Sequence, residues 1–245
     1  MSPISLLLAK KTALIWERPE PAHPPGAISL RREAIARAAM SLADKKGLGA
    51  VSLRTVAAAL KVDPKRLREH VFSKDEVHEL MSDAFYRELV ADSLFAGDWR
   101  QIMREVAHQF RRAVHKHLWF TDLTGARIAM VPHAIVYTER ALAALVDEPG
   151  FEDIGIAMRT LQHVSAYAVG AVHGESDELR YERRFGKAWM ELLFTMGPYY
   201  RRMLESGRFP RTVQVAEAST DTPLDTVFDQ GLEFMLDGIS AKHSH

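Results

Sequence analysis

The chain has 245 residues, 47% of them hydrophobic and 26% charged, with 32 basic side chains against 32 acidic ones. At roughly 100–200 residues per domain this is one large domain or two modest ones, and the composition excludes a disordered tail protein and a collagen-like chain. With 0 cysteines there is no disulfide framework, no thiolate zinc site and no cysteine nucleophile, which fits a reducing cytoplasm.

No apolar run approaches the ~20 residues of a membrane span. The short apolar stretch at Ile4 and Leu6 to Leu8 is stopped by Lys10 and Lys11, so no export signal is expected. Pro19, Pro21, Pro24, Pro25 and Gly26 mark residues 1–27 as an extended arm outside any packed core. Helical periodicity then begins: Ile35, Ala38, Ala39, Leu42 and Ala43 share one face, with Ser29 as N-cap and Gly47 and Gly49 at the end. Leu53, Val56, Ala57 and Leu60 give a second, short helix entered at Ser52. After the tight connection of residues 61–63, Asp63 caps a third helix and Pro64 suits its first position, where a missing N–H costs nothing. That helix is about two turns long, with Leu67 and Val71 facing in. Ser73-Lys74-Asp75-Glu76 reads as a capping box opening a long fourth helix with Val77, Leu80, Met81, Ala84, Phe85 and Leu89 on one stripe.

Further helices are predicted over residues 99–118, 121–130, 132–146, 151–174 and 176–204, the last bent at Gly197-Pro198. Residues 207–222 read as a loop and 223–239 as a final amphipathic helix. No strand and no solenoid repeat is legible, so the class is all-α.

Charge is unevenly spread. Residues 29–74 hold eleven basic side chains and four acidic ones, so the rest of the chain is acidic by the same excess. A basic segment on an acidic body points to a polyanion partner for that segment, although a solvated helical face gives the same count. A short helix, a tight turn and a short basic helix form a helix-turn-helix. In such a unit the first helix crosses the phosphate backbone and the second enters the major groove, which just admits a helix. Lys65, Arg66 and Arg68 supply the hydrogen-bonding side chains this requires.

Residues 30–85 resemble the DNA-binding domain of the TetR family of transcriptional repressors. The matching features are Ile35, Ala38, Ala39, Gly47, the block SLRTVAAAL, the turn V-D-P, L-R-E-H-V and SKDEV, in order and without gaps. The rest resembles the tetracycline-repressor-like C-terminal domain, through WERP in the arm, HKHLWF at 115–120 and FDQGLEFMLDGI at 228–239. The resemblance implies an N-terminal helix-turn-helix domain over residues 28–74 and a larger helical regulatory domain over 75–245. It implies phosphate contacts from Ser52 and Arg54, base reading by Lys65 and Arg66, and a backbone grip from Arg68, His70 and Lys74. Arg66 is the better reader for a guanine. His70 has an inward-packing alternative, and Arg31 and Arg32 read more simply as a solvated helix start.

Two departures stand out. Lys61 occupies a turn position where the family has glycine, so it either changes the backbone or takes a left-handed strain. The family's Leu-Tyr-x-His is here Leu67-Arg68-Glu69-His70. Arg68 can take over the tyrosine's phosphate contact with a full charge. Glu69 can accept from a cytosine amino group or pair with Lys65 four residues back, and pairing is the expectation.

By the same resemblance the C-terminal helices enclose a pocket for a small-molecule effector and form a dimer. Trp119, Phe120, Met130, His133, Tyr137, Met158, Gln162, His163, Tyr167 and Trp189 are the candidates for lining it, a mix of apolar bulk and a few polar groups. Each has a plain core reading as well. The small-residue face of residues 151–174 and the stripe of 223–239 are the interface candidates, by analogy with a four-helix bundle. Two reading heads on a two-fold axis imply a near-palindromic operator. An enzyme is not expected. His115 and His117 are two apart and do not face each other on a helix, and no metalloprotease helix, phosphate-binding loop or nucleophile elbow is present. No cofactor and no metal are expected. The alternative function is a degenerate member whose head no longer reads DNA, serving as a protein-interaction or sensor module.

Overall fold

The computed structural model describes residues 14–21, 30–123, 130–186, 197–218 and 222–243. They are helical, with no strand among them. The helices are α1 (Arg32–Lys46), α2 (Leu53–Leu60), α3 (Pro64–His70), α4 (Lys74–Asp92), α5 (Trp99–Lys116), α6 (Pro132–Val146), α7 (Ile154–Phe185), α8 (Gly197–Glu205), α9 (Pro210–Ala218) and α10 (Leu224–His243). Short 3₁₀ turns cover Leu48–Ala50 and Leu118–Leu123. No helix among the described residues is long and apolar enough to cross a membrane.

The chain divides into two compact units. The first comprises the described parts of Met1–Ser93 and Asp122–Arg140, and the second those of Leu94–Thr121 and Ala141–His245. In the first unit α1 packs on α2 and α4, and α2 on α3. Its core holds Ile35, Ala39, Val56, Leu67, Val71, Met81 and Phe85, all fully buried or nearly so. This is the stripe that the 3.6-residue period selects. In the second unit α5 packs on α7, and α10 on both. Ile102, Met103, Leu145, Phe151, Val164, Phe228 and Leu236 form its core.

Several expectations change. The arm is packed at one point, because Ile15 is only 1% exposed. The expected cap Ser29 lies outside the described residues, and α1 starts after Arg31 with no side-chain cap. Of the helix expected over 121–130, residues 124–129 lie outside the described residues, and 121–123 belong to the 3₁₀ turn Leu118–Leu123, pinned by Arg180, which donates to the Leu118 carbonyl at 2.5 Å and to Thr121 Oγ1 at 2.7 Å. The break expected after Gly174 is absent, and α7 runs unbroken for 32 residues. Glu175 and Ser176 are both buried there, and tertiary contacts at Glu175 override the local cost of glycine. The expected loop of 207–222 contains α9, which begins at Pro210 as proline favours.

Candidate nucleic-acid interface and regulatory helices

The reading head is set by local capping. Ser52 Oγ accepts the Thr55 N–H at 3.1 Å and Thr55 Oγ1 accepts the Ser52 N–H at 2.9 Å, a reciprocal box with threonine in the third position. Ser52 is thus first a cap. Lys61 adopts φ 56 and ψ 40, the left-handed conformation. Its N–H donates to the Ala58 carbonyl at 3.1 Å, and the Val62 N–H to Ala57 at 3.0 Å. This is the Schellman closure that a glycine would make, so the turn keeps its backbone and lysine carries the strain. Asp63 Oδ1 then caps α3 by accepting the Lys65 N–H at 2.7 Å. Leu67 is 0% exposed and His70 2%, so both anchor α3 from inside. This places His70 on the core side of the helix, and a backbone grip from it does not follow.

Arg54, Lys65, Arg68, Glu69 and Lys74 are exposed, and Arg66 is half-buried. The expected Lys65–Glu69 pair is absent among the described residues. Ion pairs of this unit include Arg18–Glu76 at 2.7 Å, Arg37–Glu33 at 3.0 Å, Arg87–Glu33 at 3.4 Å and His133–Asp83 at 2.8 Å. Among the described residues, Arg54, Lys65, Arg68 and Lys74 therefore face solvent with no carboxylate partner. Ser73 Oγ accepts the Glu76 N–H at 3.2 Å, but Glu76 Oε2 accepts from Phe72 N at 2.7 Å, so only half of the expected capping box closes.

The effector candidates fall into separate places. In the first unit Met130 is exposed, and His133 is held by Asp83, which accepts from its backbone N and meets its Nδ1, both at 2.8 Å. Tyr137 packs against Tyr86, whose hydroxyl burial pushes up to about 12. In the second unit Trp119 is 2% exposed, part of an aromatic cluster with His117 and Phe120. Met158 is half-buried and Gln162 exposed on α7. His163 and Tyr167 line a cleft of about 840 Å³ between α7 and α10, with Arg159, Thr160, Met235 and Ile239. The Tyr167 hydroxyl donates to the Phe228 carbonyl at 2.6 Å. Trp189 lies outside the described residues.

One arrangement went unread in the sequence. On α5 and α10, running antiparallel, Arg100 binds Glu233 and Asp237, Arg104 binds Glu233 at 2.5 Å, His108 faces Asp229 at 3.2 Å, and Arg111 binds Asp225 at 2.7 Å. Arg111 also binds Glu175 of α7 at 2.9 Å, which His115 reaches at 2.6 Å. Burial pushes the Glu175 carboxyl up, but hydrogen bonds from His115 and Arg111 outweigh it and hold the group below its ordinary value. The signal was present: Asp225, Asp229, Glu233 and Asp237 recur every four residues, one face of a helix.

Residues 93–243 match the family model described as "Tetracyclin repressor-like, C-terminal domain". The chain belongs to the TetR family of transcriptional regulators. It is 29% identical over 237 residues to the HTH-type transcriptional repressor DrrR1 of Streptomyces coeruleorubidus, covering 95% of this chain and 85% of that one. It is 30% identical over 162 residues to an HTH-type transcriptional regulator of Saccharopolyspora erythraea, covering 66% and 67%. Among solved structures, apo ActR of Streptomyces coelicolor superposes with a TM-score of 0.71 at 24% identity, over 89% of this chain and 99% of that one. The complex of ActR with actinorhodin gives 0.69 at 24% identity, over 89% and 100%. The all-α TetR fold is thus shared along nearly the whole chain.

Proposed function

We propose that this TetR-family regulator is a repressor that binds a near-palindromic operator as a homodimer in the cytoplasm and is released by a small-molecule effector. The observation that carries the reading is the α2–α3 unit. Ser52 and Asp63 cap its two helices and Ser73 the start of α4, while Lys65, Arg68, Arg54 and Lys74 stand in solvent without a carboxylate partner among the described residues. Charges left unneutralised within the chain are what a phosphate backbone recruits. Arg66 and Lys65 are the base readers, and Arg54, Arg68 and Lys74 the backbone contacts. The head is residues 28–74, and residues 75–245 carry effector and dimer functions.

The effector reading is supported by ActR, a protein of the same fold solved with actinorhodin. The cleft between α7 and α10 and the exposed Ile154, Val227 and Phe234 support dimerisation through these helices, since apolar side chains on one face call for a covering partner. Release then follows if the effector binds the DNA-incompetent state more tightly.

Fluorescence anisotropy of the full chain on the DNA upstream of its own gene tests this, with a random duplex alongside and a salt series. Tight, salt-steep and selective binding is expected. Equal, weak binding to both duplexes argues against an operator there, and Arg68→Tyr then asks whether the head has lost its reading geometry.

A further inference from the structure

Residues 14–20 lie on the reading head. The Glu17 N–H donates to the Leu14 carbonyl at 2.9 Å, and the Leu14 N–H to the Glu17 carboxylate at 3.2 Å. This tight turn drops Ile15 into the core, where it is 1% exposed. Arg18 then meets two features of the turn that follows α3. It donates to Glu76 Oε2 at 2.7 Å, and its guanidinium carbon stands 3.8 Å from the centroid of the Phe72 ring. The same Glu76 oxygen accepts the Phe72 N–H at 2.7 Å. Two residues further along, Glu20 Oε1 accepts the Arg32 N–H at 3.1 Å, at the start of α1.

The energetics favour a positional role. The Arg18 and Glu76 side chains are 17% and 18% exposed, so the pair is sheltered enough to escape the near-zero worth of a surface ion pair. A guanidinium over an aromatic face adds a second attraction with its own geometry. Arg18 lies against one face of the Phe72 ring, which otherwise stays 62% exposed. Between them these contacts hold the three-residue connection from His70 to Lys74. That connection sets where α3 ends and where the first residue of α4 points.

We propose that residues 15–20 are a strap on the head, and that Arg18 and Glu76 are positioning residues that hold the Phe72–Lys74 turn in the geometry that binds DNA. Arg18 acts through Glu76 and Phe72, its charge already committed, and does not touch phosphate. The inference rests on the operator-binding reading above.

The test uses the full-length protein with Arg18→Ala, Arg18→Lys, Glu76→Gln and the Arg18→Ala/Glu76→Gln double variant, on operator and random duplexes across a salt series. Circular dichroism and Tm are measured for each. Arg18→Ala and Glu76→Gln should each weaken operator binding about tenfold, and the double variant no more than the weaker single, because both remove one coupled unit. The slope of log K against log salt should stay at the wild-type value, since no phosphate contact is lost. Arg18→Lys should recover part of the affinity through the retained charge pair. It also keeps the test decisive if Arg18→Ala fails to fold. Unchanged affinity in folded variants overturns the strap's role. A slope lowered by about one in Arg18→Ala also overturns it, by making Arg18 a direct phosphate contact. If the wild-type chain itself does not discriminate operator from random DNA, the operator-binding reading of this head falls and the strap role falls with it. If it discriminates and the variants match it, the strap role alone falls.

Discussion

On the reading head Lys65 and Arg68 stand in solvent with no carboxylate partner among the described residues, whereas on α5 Arg100, Arg104 and Arg111 are each bound to carboxylates of α7 or α10. The same chemistry is put to opposite uses. A cation neutralised within its own fold fixes helix register and has little charge left for a partner. A cation left unpaired contributes little to the fold and stays available to a polyanion. On the reading head the backbone is fixed instead by small polar caps, Ser52, Asp63 and Ser73, which need no cation and leave Lys65 and Arg68 exposed.

Substitutions at the two kinds of cation should therefore separate stability from binding. The largest effect is expected at Arg111. Its side chain is 10% exposed and that of Glu175 is 7%, so Arg111→Ala leaves a buried carboxylate with His115 alone. Removing one partner of a buried pair costs about 3–5 kcal/mol. Denaturant unfolding checks this, and a loss under about 1 kcal/mol would mean that the network is better solvated than its burial indicates. Arg66→Ala should cost about 1–3 kcal/mol of operator binding and relax one base position. Lys74→Ala should weaken all sequences alike and lower the salt slope by about one. An Arg66→Ala loss that is equal on every duplex would remove Arg66 from the base readers.

The contrast also explains what the sequence could tell. The two helices α2 and α3 were legible almost to the residue. Their signals are local: Ser52 and Asp63 cap helices that begin one residue later, and Leu67 and Val71 repeat at helical spacing. His70 was the undecided residue, because a histidine at the edge of an apolar stripe suits either side. The second unit was harder, since its decisive contacts join residues far apart. Past Gly174, where α7 runs on unbroken, Glu175 is met by Arg111 and His115, 64 and 60 residues away. No window of sequence contains that information. The aromatic and methionine candidates fared as their composition allowed. His163 and Tyr167 share a cleft, while Trp119 is core, because periodicity finds a helix face without naming what faces it.

Lys61 sharpens the comparison from the side of backbone strain. It is a non-glycine residue at φ 56 in an otherwise ordinary helix closure. Lys61→Gly should stabilise the first unit by roughly 0.5–1 kcal/mol, the left-handed penalty removed less the extra chain entropy of glycine. The second unit should not respond. Operator affinity should fall slightly or not at all, and a large drop would show that the lysine side chain contacts DNA, so that the strain serves binding.

The smallest effect tests whether the paired cations really hold the second unit. The Arg104 guanidinium, with Arg100 beside it, holds the Glu233 carboxyl at about 2 against its ordinary 4.5. A depressed carboxyl stabilises the fold above its unfolded pKa and loses that contribution as pH falls toward its folded one. The window is therefore from about 4.5 down to about 2. Glu233 is 40% exposed, so solvent screening keeps the contribution under about 1 kcal/mol. Glu233→Gln should lower Tm modestly near neutral pH and approach the wild type as pH is taken from about 6 to about 3, because the wild type then loses what the variant never had. A Tm difference that stays constant over that range would assign the loss to packing of the Glu233 stem and not to its charge. In that case the α5–α10 ladder would be a consequence of helix packing rather than one of its causes.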